Sequence, residues 1–264
     1  MKNIIVPLGS SENSKNTLQY AVDFAKEINA VLYVLNAYYI PKTAGTIINV
    51  DDIVARERKQ FLEDMIERID TKGVDIKIIA AKGDVIDAVT AVNDKLGVDL
   101  IVVGPRPNDL GEELFLGRTS GGIIKQTDIP VLIVPENYGF KPIKRVLTAI
   151  KSGVIKNSNA LKPLLFIINN MQARMHLLQV KTPDFLPEDL EFYSDLAAIT
   201  SSYNSSENAT LFQGVLEHLN AKNPDLICVF RRKRGFFKKL WEQNIIKKVD
   251  FESRLPLLVL KETE

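Results

Sequence analysis

The chain has 264 residues, 45% of them apolar and 25% charged, enough for one large or two ordinary domains of a soluble globular protein. Its 34 basic and 33 acidic residues nearly cancel, which argues against bulk attraction to nucleic acid or an anionic membrane. One cysteine, Cys228 in LICVF, leaves no internal disulfide and reads as an inert core thiol. No apolar run reaches the roughly 18 residues of a membrane span, the opening MKNIIVPLGSS lacks a secretion signal, and a cytoplasmic setting is expected.

Asn3–Pro7 is a short apolar strand, and Ser11–Asn29 carries Leu18, Ala21, Val22 and Ala25 at helical spacing, with Ser11 or Asn13 as N-cap. Val31–Tyr38 is a second strand, and Val50–Thr71 a polar helix with Ile53, Phe61, Met65 and Ile69 on its apolar stripe. A third strand over Val74–Ala81 is followed by a helix to Leu96, which Gly97 closes, and Asp99–Gly104 is a fourth strand. A glycine-bearing loop, a helix from Thr119 to Lys125 and a fifth strand, Val131–Val134, follow. Alternating strands and helices with continuously apolar strands imply a parallel sheet covered on both faces.

The order then restarts. Lys144–Ile150 reads as a first strand, Leu161–Asn170 as a helix, Met175–Val180 as a second strand and Ala197–Ser201 as a third. Leu211–Leu219 is a helix and Asp225–Phe230 a fourth strand. DLIVV at Asp99 returns as DLICV at Asp225, and the prolines of IPVLIVPE and LPLLVLKE, Pro130 and Pro256, share the offset of 126. IIVP at Ile4 matches VLTA at Val146 at an offset of 142, so the second copy is shorter, most simply between its second and third strands. The expected architecture is two tandem doubly wound α/β domains, residues 1–136 and 142–264, each a five-stranded parallel sheet flanked by helices. Glu136–Pro142 (ENYGFKP) would be a connector or hinge.

In an open parallel sheet, ligands sit beyond the carboxyl ends of the strands where the winding reverses. In the first domain that crevice would be lined by Val6, Pro7 and the loop to Glu12, and by Gly104–Gly117. Gly104 would admit a close approach of backbone to ligand. Gly117 and Arg118 open a helix whose free N–H groups favour an anion, with Thr119 and Ser120 as hydroxyl donors and Arg118 as a charged one.

With these residues the chain resembles a tandem universal stress protein, a fold of the adenine-nucleotide alpha-hydrolase type. The resemblance is carried by IIVPLGSSENSKNTLQYAVDFAKEINAVLYVLNAY and by DLIVVGPRPNDLGEELFLGRTSGGIIKQTDIPVLIVP, and it covers 1–135 strongly and 142–262 weakly. Nucleotide-binding members carry Gly-x-x-Gly, nine residues, then Gly followed by Ser or Thr. Gly104 and Gly117 keep the first and third glycines, while Pro107 replaces the second and Arg118 the hydroxyl residue. The aspartate those members hold after the first strand is also missing from Leu8-Gly9-Ser10. Each lost bond to a charged group weakens affinity by roughly ten- to hundredfold.

The resemblance therefore implies weak or altered binding of ATP or another adenine nucleotide in the first domain. By the offset, Phe230, Lys233 and Gln243 stand where the second domain would need the three positions, so its site is expected to be degenerate. No HExxH, CxxC or GxSxG is present, His176 and His218 read as structural, and neither a catalytic residue nor a metal site is assigned. The expected function is a non-enzymatic stress-response adaptor acting on protein partners. The alternatives are a slow ATP-hydrolysing or phosphotransfer enzyme drawing a metal carboxylate from Asp109, Glu112 or Glu113, and a nucleic-acid or membrane-surface binder through Arg231–Lys239. The resemblance further implies that Val131–Val134 and Leu257–Leu260 pair as a pseudo-dimer within the chain, with a homodimer of chains as a further level.

Overall fold

The computed structural model describes residues 1–39, 50–105, 114–231, 246–247 and 253–262. The first half runs β1 (Asn3–Pro7), α1 (Asn13–Ile28), β2 (Val31–Tyr38), α2 (Val50–Glu67), β3 (Ile76–Lys82) and α3 (Val85–Leu96). It continues through β4 (Leu100–Val103), β5 (Leu114–Leu116), α4 (Arg118–Gln126) and β6 (Val131–Ile133). The second half runs β7 (Arg145–Ile150), α5 (Lys162–Met171), β8 (Arg174–Lys181), α6 (Ser194–Ala198) and β9 (Thr200–Glu207). α7 (Leu211–Lys222), β10 (Leu226–Arg231), β11 (Ile246–Lys247) and β12 (Leu257–Lys261) follow.

The strands of each half are parallel, in the orders β3-β2-β1-β4-β6 and β12-β10-β7-β8-β9. An antiparallel pair fuses them into one ten-stranded sheet, with Leu257 opposite Ile133, Leu258 opposite Leu132 and Val259 opposite Val131. Because side chains alternate along each strand, two apolar layers result, and both cross the seam. One packs Ile4, Val6, Leu132, Val146 and Leu258 beneath α1, α2 and α5. The other packs Ile5, Ile101, Val131, Leu147 and Val259 against α3, α4 and α7.

The sequence repeat has a physical basis. Asp99 Oδ2 accepts the backbone N–H groups of Lys2 and Asn3 at 2.7 and 3.0 Å, and Asp225 Oδ2 accepts those of Lys144 and Arg145 at 3.0 and 2.9 Å. Each aspartate thus ties the start of its first strand to its fourth. The carbonyls of Pro130 and Pro256 each accept the second N–H of the neighbouring strand, from Ile101 and Ile227, at 2.9 Å. α1 and α5 end alike in left-handed residues, Asn29 (φ 53°) and Gln172 (φ 51°).

Four features differ from the sequence reading. The third strand of the second half is Thr200–Glu207 rather than Ala197–Ser201. TSSYNSSE lacks an apolar run because β9 is the sheet's edge and is largely exposed, while α6 takes up Ala197. α1 is capped by Glu12 without a side-chain bond, and Ser11 instead pairs its hydroxyl with Ser14 at 3.0 Å. The connector is no hinge, since Tyr138 and Phe140 pack on Tyr20 with ring centroids 6.3 and 5.4 Å away, and Asn16 Nδ2 holds the Pro135 carbonyl. Finally, β5 pairs with β11, so the segments after β4 and β10 cross-link the halves.

The shortened middle of the second half lies where the offsets put it. In place of α2 there is a strap over 183–193, containing a 3-10 turn at Pro187–Leu190.

Candidate functional site

A cleft of about 500 Å³ opens beyond the carboxyl ends of β1 and β4, where the winding of the first half reverses. Loop 8–12 forms one wall and is closely tethered. Leu8 N–H donates to the Leu35 carbonyl at 2.8 Å, Asn36 Nδ2 to the Leu8 carbonyl at 2.7 Å and Ser14 Oγ to the Gly9 carbonyl at 2.9 Å. Gly104 and Pro105 follow β4 on the other wall. A Cβ at Gly104 would lie 2.4 Å from Thr17 Oγ1 and 2.6 Å from Asn13 Nδ2, so only glycine lets α1 pack this close. Ser120 Oγ donates to the Gly104 carbonyl at 3.0 Å, pinning α4 to the same residue.

Gly117 is the N-cap of α4, and its φ of −79° is open to any residue. Gly121 N–H makes the helix's first 5→1 bond to the Gly117 carbonyl, so the N–H groups ahead of it have no acceptor within the helix. They carry the positive end of the helix dipole. Of the residues expected in the site, Pro7, Gly104, Gly117, Thr119 and Ser120 line the cleft. Val6 does not, because it is fully buried beneath α1. Arg118 opens α4, while its side chain and Pro107 lie outside the described residues.

The structure adds lining residues that pattern reading passed over: Asn13, Ser14 and Thr17 from α1, Asn36 and Ala37 from β2, and Val85 from α3. Asn36 carried a legible signal, as an amide interrupting the apolar run VLYVLNAY. Its Nδ2 is engaged, its Oδ1 has no partner, and the residue is 8% exposed. The described lining is all neutral, with hydroxyls and amides supplying its polarity. The volume falls within the roughly 300–1,000 Å³ of small-molecule sites, and the free amides at the start of α4 are groups that favour an anion.

No group of three or more His, Cys, Asp or Glu side chains able to hold a metal occurs among the described residues. Asp109, Glu112, Glu113 and 232–239 lie outside them. Cys228 is fully buried, and desolvation pushes its thiol up. His176 Nδ1 is hydrogen-bonded to Ser202 Oγ at 2.5 Å across β8 and β9. Burial, with Lys222, Arg145 and Arg174 nearby, holds its pKa below the usual value.

The corresponding strand ends of the second half are covered by the chain itself. Gln179 occupies in β8 the register position that Asn36 holds in β2. Its Nε2 donates to the carbonyls of Lys151 and Asp189 at 3.2 and 2.6 Å, and its Oε1 accepts from the Tyr203 hydroxyl at 2.7 Å. The strap bridges to Gly153 through Phe192, and a Cβ on Gly153 would lie 2.5 Å from the Glu191 carbonyl. Lys151 Nζ, just past β7, fastens the strap by donating to the carboxylate of its Asp184 at 2.8 Å. Phe230, which takes the place of Gly104, is buried at 4% exposure, while Lys233 and Gln243 lie outside the described residues.

Two doubly wound units sharing one sheet, with a polar cleft at the reversal point of the first, define a tandem α/β protein. Residues 1–135 match the universal stress protein family, and the chain belongs to it. Among curated relatives, the stress response protein NhaX of Bacillus subtilis is 27% identical over 161 residues, spanning 50% of this chain and 96% of its own. Universal stress protein YxiE of the same organism is 30% identical over 145 residues, spanning 50% and 97%. A crystal structure of a universal stress protein from Archaeoglobus fulgidus superposes with a TM-score of 0.74 at 19% identity, covering 99% of this chain and 98% of that one. The two curated relatives thus match half of this chain, whereas the Archaeoglobus fulgidus structure covers 99% of it. Among the described residues no helix is long and apolar enough to cross a membrane.

Proposed function

We propose that the protein is a cytoplasmic stress-response adaptor that performs no chemical step and binds an adenine nucleotide weakly, as a regulatory ligand, in its first half. The observation that carries the reading is the cleft itself, in which Gly104, the α4 amides and the Thr119 hydroxyl converge at the reversal point. Gly104 and the α4 amides would hold the phosphate end, and Ala37 and Asn36 would border the base. Residues 142–264 act in this reading as a second domain of the same family whose own mouth is stopped by the strap. The stress-response name of NhaX and the family match support the adaptor role.

The test is mass spectrometry of small molecules released from the purified protein, backed by calorimetry with AMP, ADP and ATP, with and without Mg²⁺. Binding some ten- to hundredfold weaker than that of a site with the full glycine and hydroxyl pattern is expected. Turnover of ATP, or silence with every adenine nucleotide, would refute the reading.

A further inference from the structure

α4 is nine residues long, with its N-terminus at the cleft and its C-terminus against the second half of the chain. A helix's last carbonyls have no donors within the helix. Here Thr127 Oγ1 donates to the Ile123 carbonyl at 2.8 Å, and the next two acceptors are met from far along the chain. Lys261 Nζ, at the end of β12, donates to the Ile124 carbonyl, and Arg231 Nη2, at the end of β10, donates to the Lys125 carbonyl.

Lys261 is 5% exposed, in a strand whose other residues, LLVL, are all buried and apolar. A buried amine is costly unless it is hydrogen-bonded, and an apolar residue would end the strand at no such cost. Burial lowers the Lys261 pKa, and Arg231 lowers it further, while Asp128 just past α4 opposes the shift. β6 follows α4 after a short turn, so these contacts join the helix to the second half beside the seam.

We propose that Lys261 and Arg231 are positioning residues for the first-half cleft: by holding the C-terminal carbonyls of α4 they set where its N-terminal amides lie. The second half, whose own mouth is closed, thereby governs phosphate recognition in the first. This rests on the reading that the α4 amides bind the phosphate end of a nucleotide.

The experiment compares Lys261→Met, Arg231→Met and the donor-retaining Arg231→Lys in the full chain. Calorimetry measures adenosine and AMP separately, and their affinity ratio isolates the phosphate contribution. The ratio should fall about tenfold in the two Met variants, return toward wild type in Arg231→Lys, and leave adenosine affinity unchanged. An equal loss for both ligands, or an unaltered ratio, overturns the proposal.

A second readout needs no nucleotide. The backbone amide resonances of Thr119, Ser120 and Gly121 should move in Arg231→Met, while those of β1 and β2 stay in place. If wild type binds no adenine ligand, the nucleotide reading fails by itself, and these resonances still decide whether Arg231 positions α4. Unmoved resonances overturn the proposal. Should Lys261→Met fail to fold, Arg231→Met, at a half-buried site, carries the test.

Discussion

At Gly104 the missing side chain lets Thr17 and Asn13 of α1 approach the end of β4, and the backbone carbonyl accepts the hydroxyl of Ser120 of α4. Gly104→Ala should therefore destabilise the protein by about 1–3 kcal/mol in chemical denaturation, the usual range for overpacking. The loss should shrink when Thr17→Ala is added, because the nearer obstacle at 2.4 Å is then gone. Equal losses in both backgrounds would show that the glycine is not there for this contact. The glycine itself was legible in the sequence as a point of close approach, but its neighbour was not. Spacing marks where a backbone comes near something and leaves unsaid whether that is a ligand or a helix. Thr17 escaped for a related reason, since a polar residue inside a helix follows no period of its own, whereas Asn36 stood out only as a break in the run VLYVLNAY. Pro7, Thr119 and Ser120 were legible because strand ends and helix starts are announced by their flanks.

Among the elements, the strap over 183–193 is held by polar contacts while Leu186 and Leu190 remain about half exposed, at 50% and 51%. The bonds that Asp184 accepts from Lys151 and Thr182 hold its carboxyl below the ordinary carboxylate value. A folded-state pKa below the unfolded one stabilises above the unfolded value, about 3.9, and that contribution is lost as pH falls through the folded one. Strap anchoring should thus be intact at neutral pH and weaken only below about pH 4. Hydrogen exchange of the strap amides across this range would check it, and in Lys151→Met the strap should exchange faster already at neutral pH. Indifference of the strap to both changes would contradict the anchoring. The strap and β9 were the elements least visible in the sequence: TSSYNSSE has neither period, and a covering segment has no repeat unit. The parallel strands were visible because burial on both faces leaves continuous apolar runs.

Taken whole, the molecule depends on the antiparallel contact of β6 with β12, which covers two apolar edges. Residues 1–136 expressed alone would present the outer edge of β6 (VLI) unpaired, and self-association is expected where the full chain has an internal partner. Light scattering showing a strict monomer for residues 1–136 would count against the seam's role. The tandem layout was legible from the repeated DLIVV and DLICV, whose aspartates perform the same bonding twice. The pairing at the seam followed from family resemblance alone, and its antiparallel sense was not legible, because three or four apolar residues in a row read the same in either direction.

The placement of β12 also has a consequence in time. It lies in the middle of the sheet, yet about 120 residues separate Ile133 from Leu257 along the chain. At roughly 5–20 residues per second of synthesis, a nascent chain spends about 6–24 seconds with β6 made and its partner not yet present. During that interval a neighbouring nascent chain from the same message competes for the edge that the molecule's own later strand is due to occupy. Slow translation of the second half would favour the exchanged pairing, and fast translation the self-contained one.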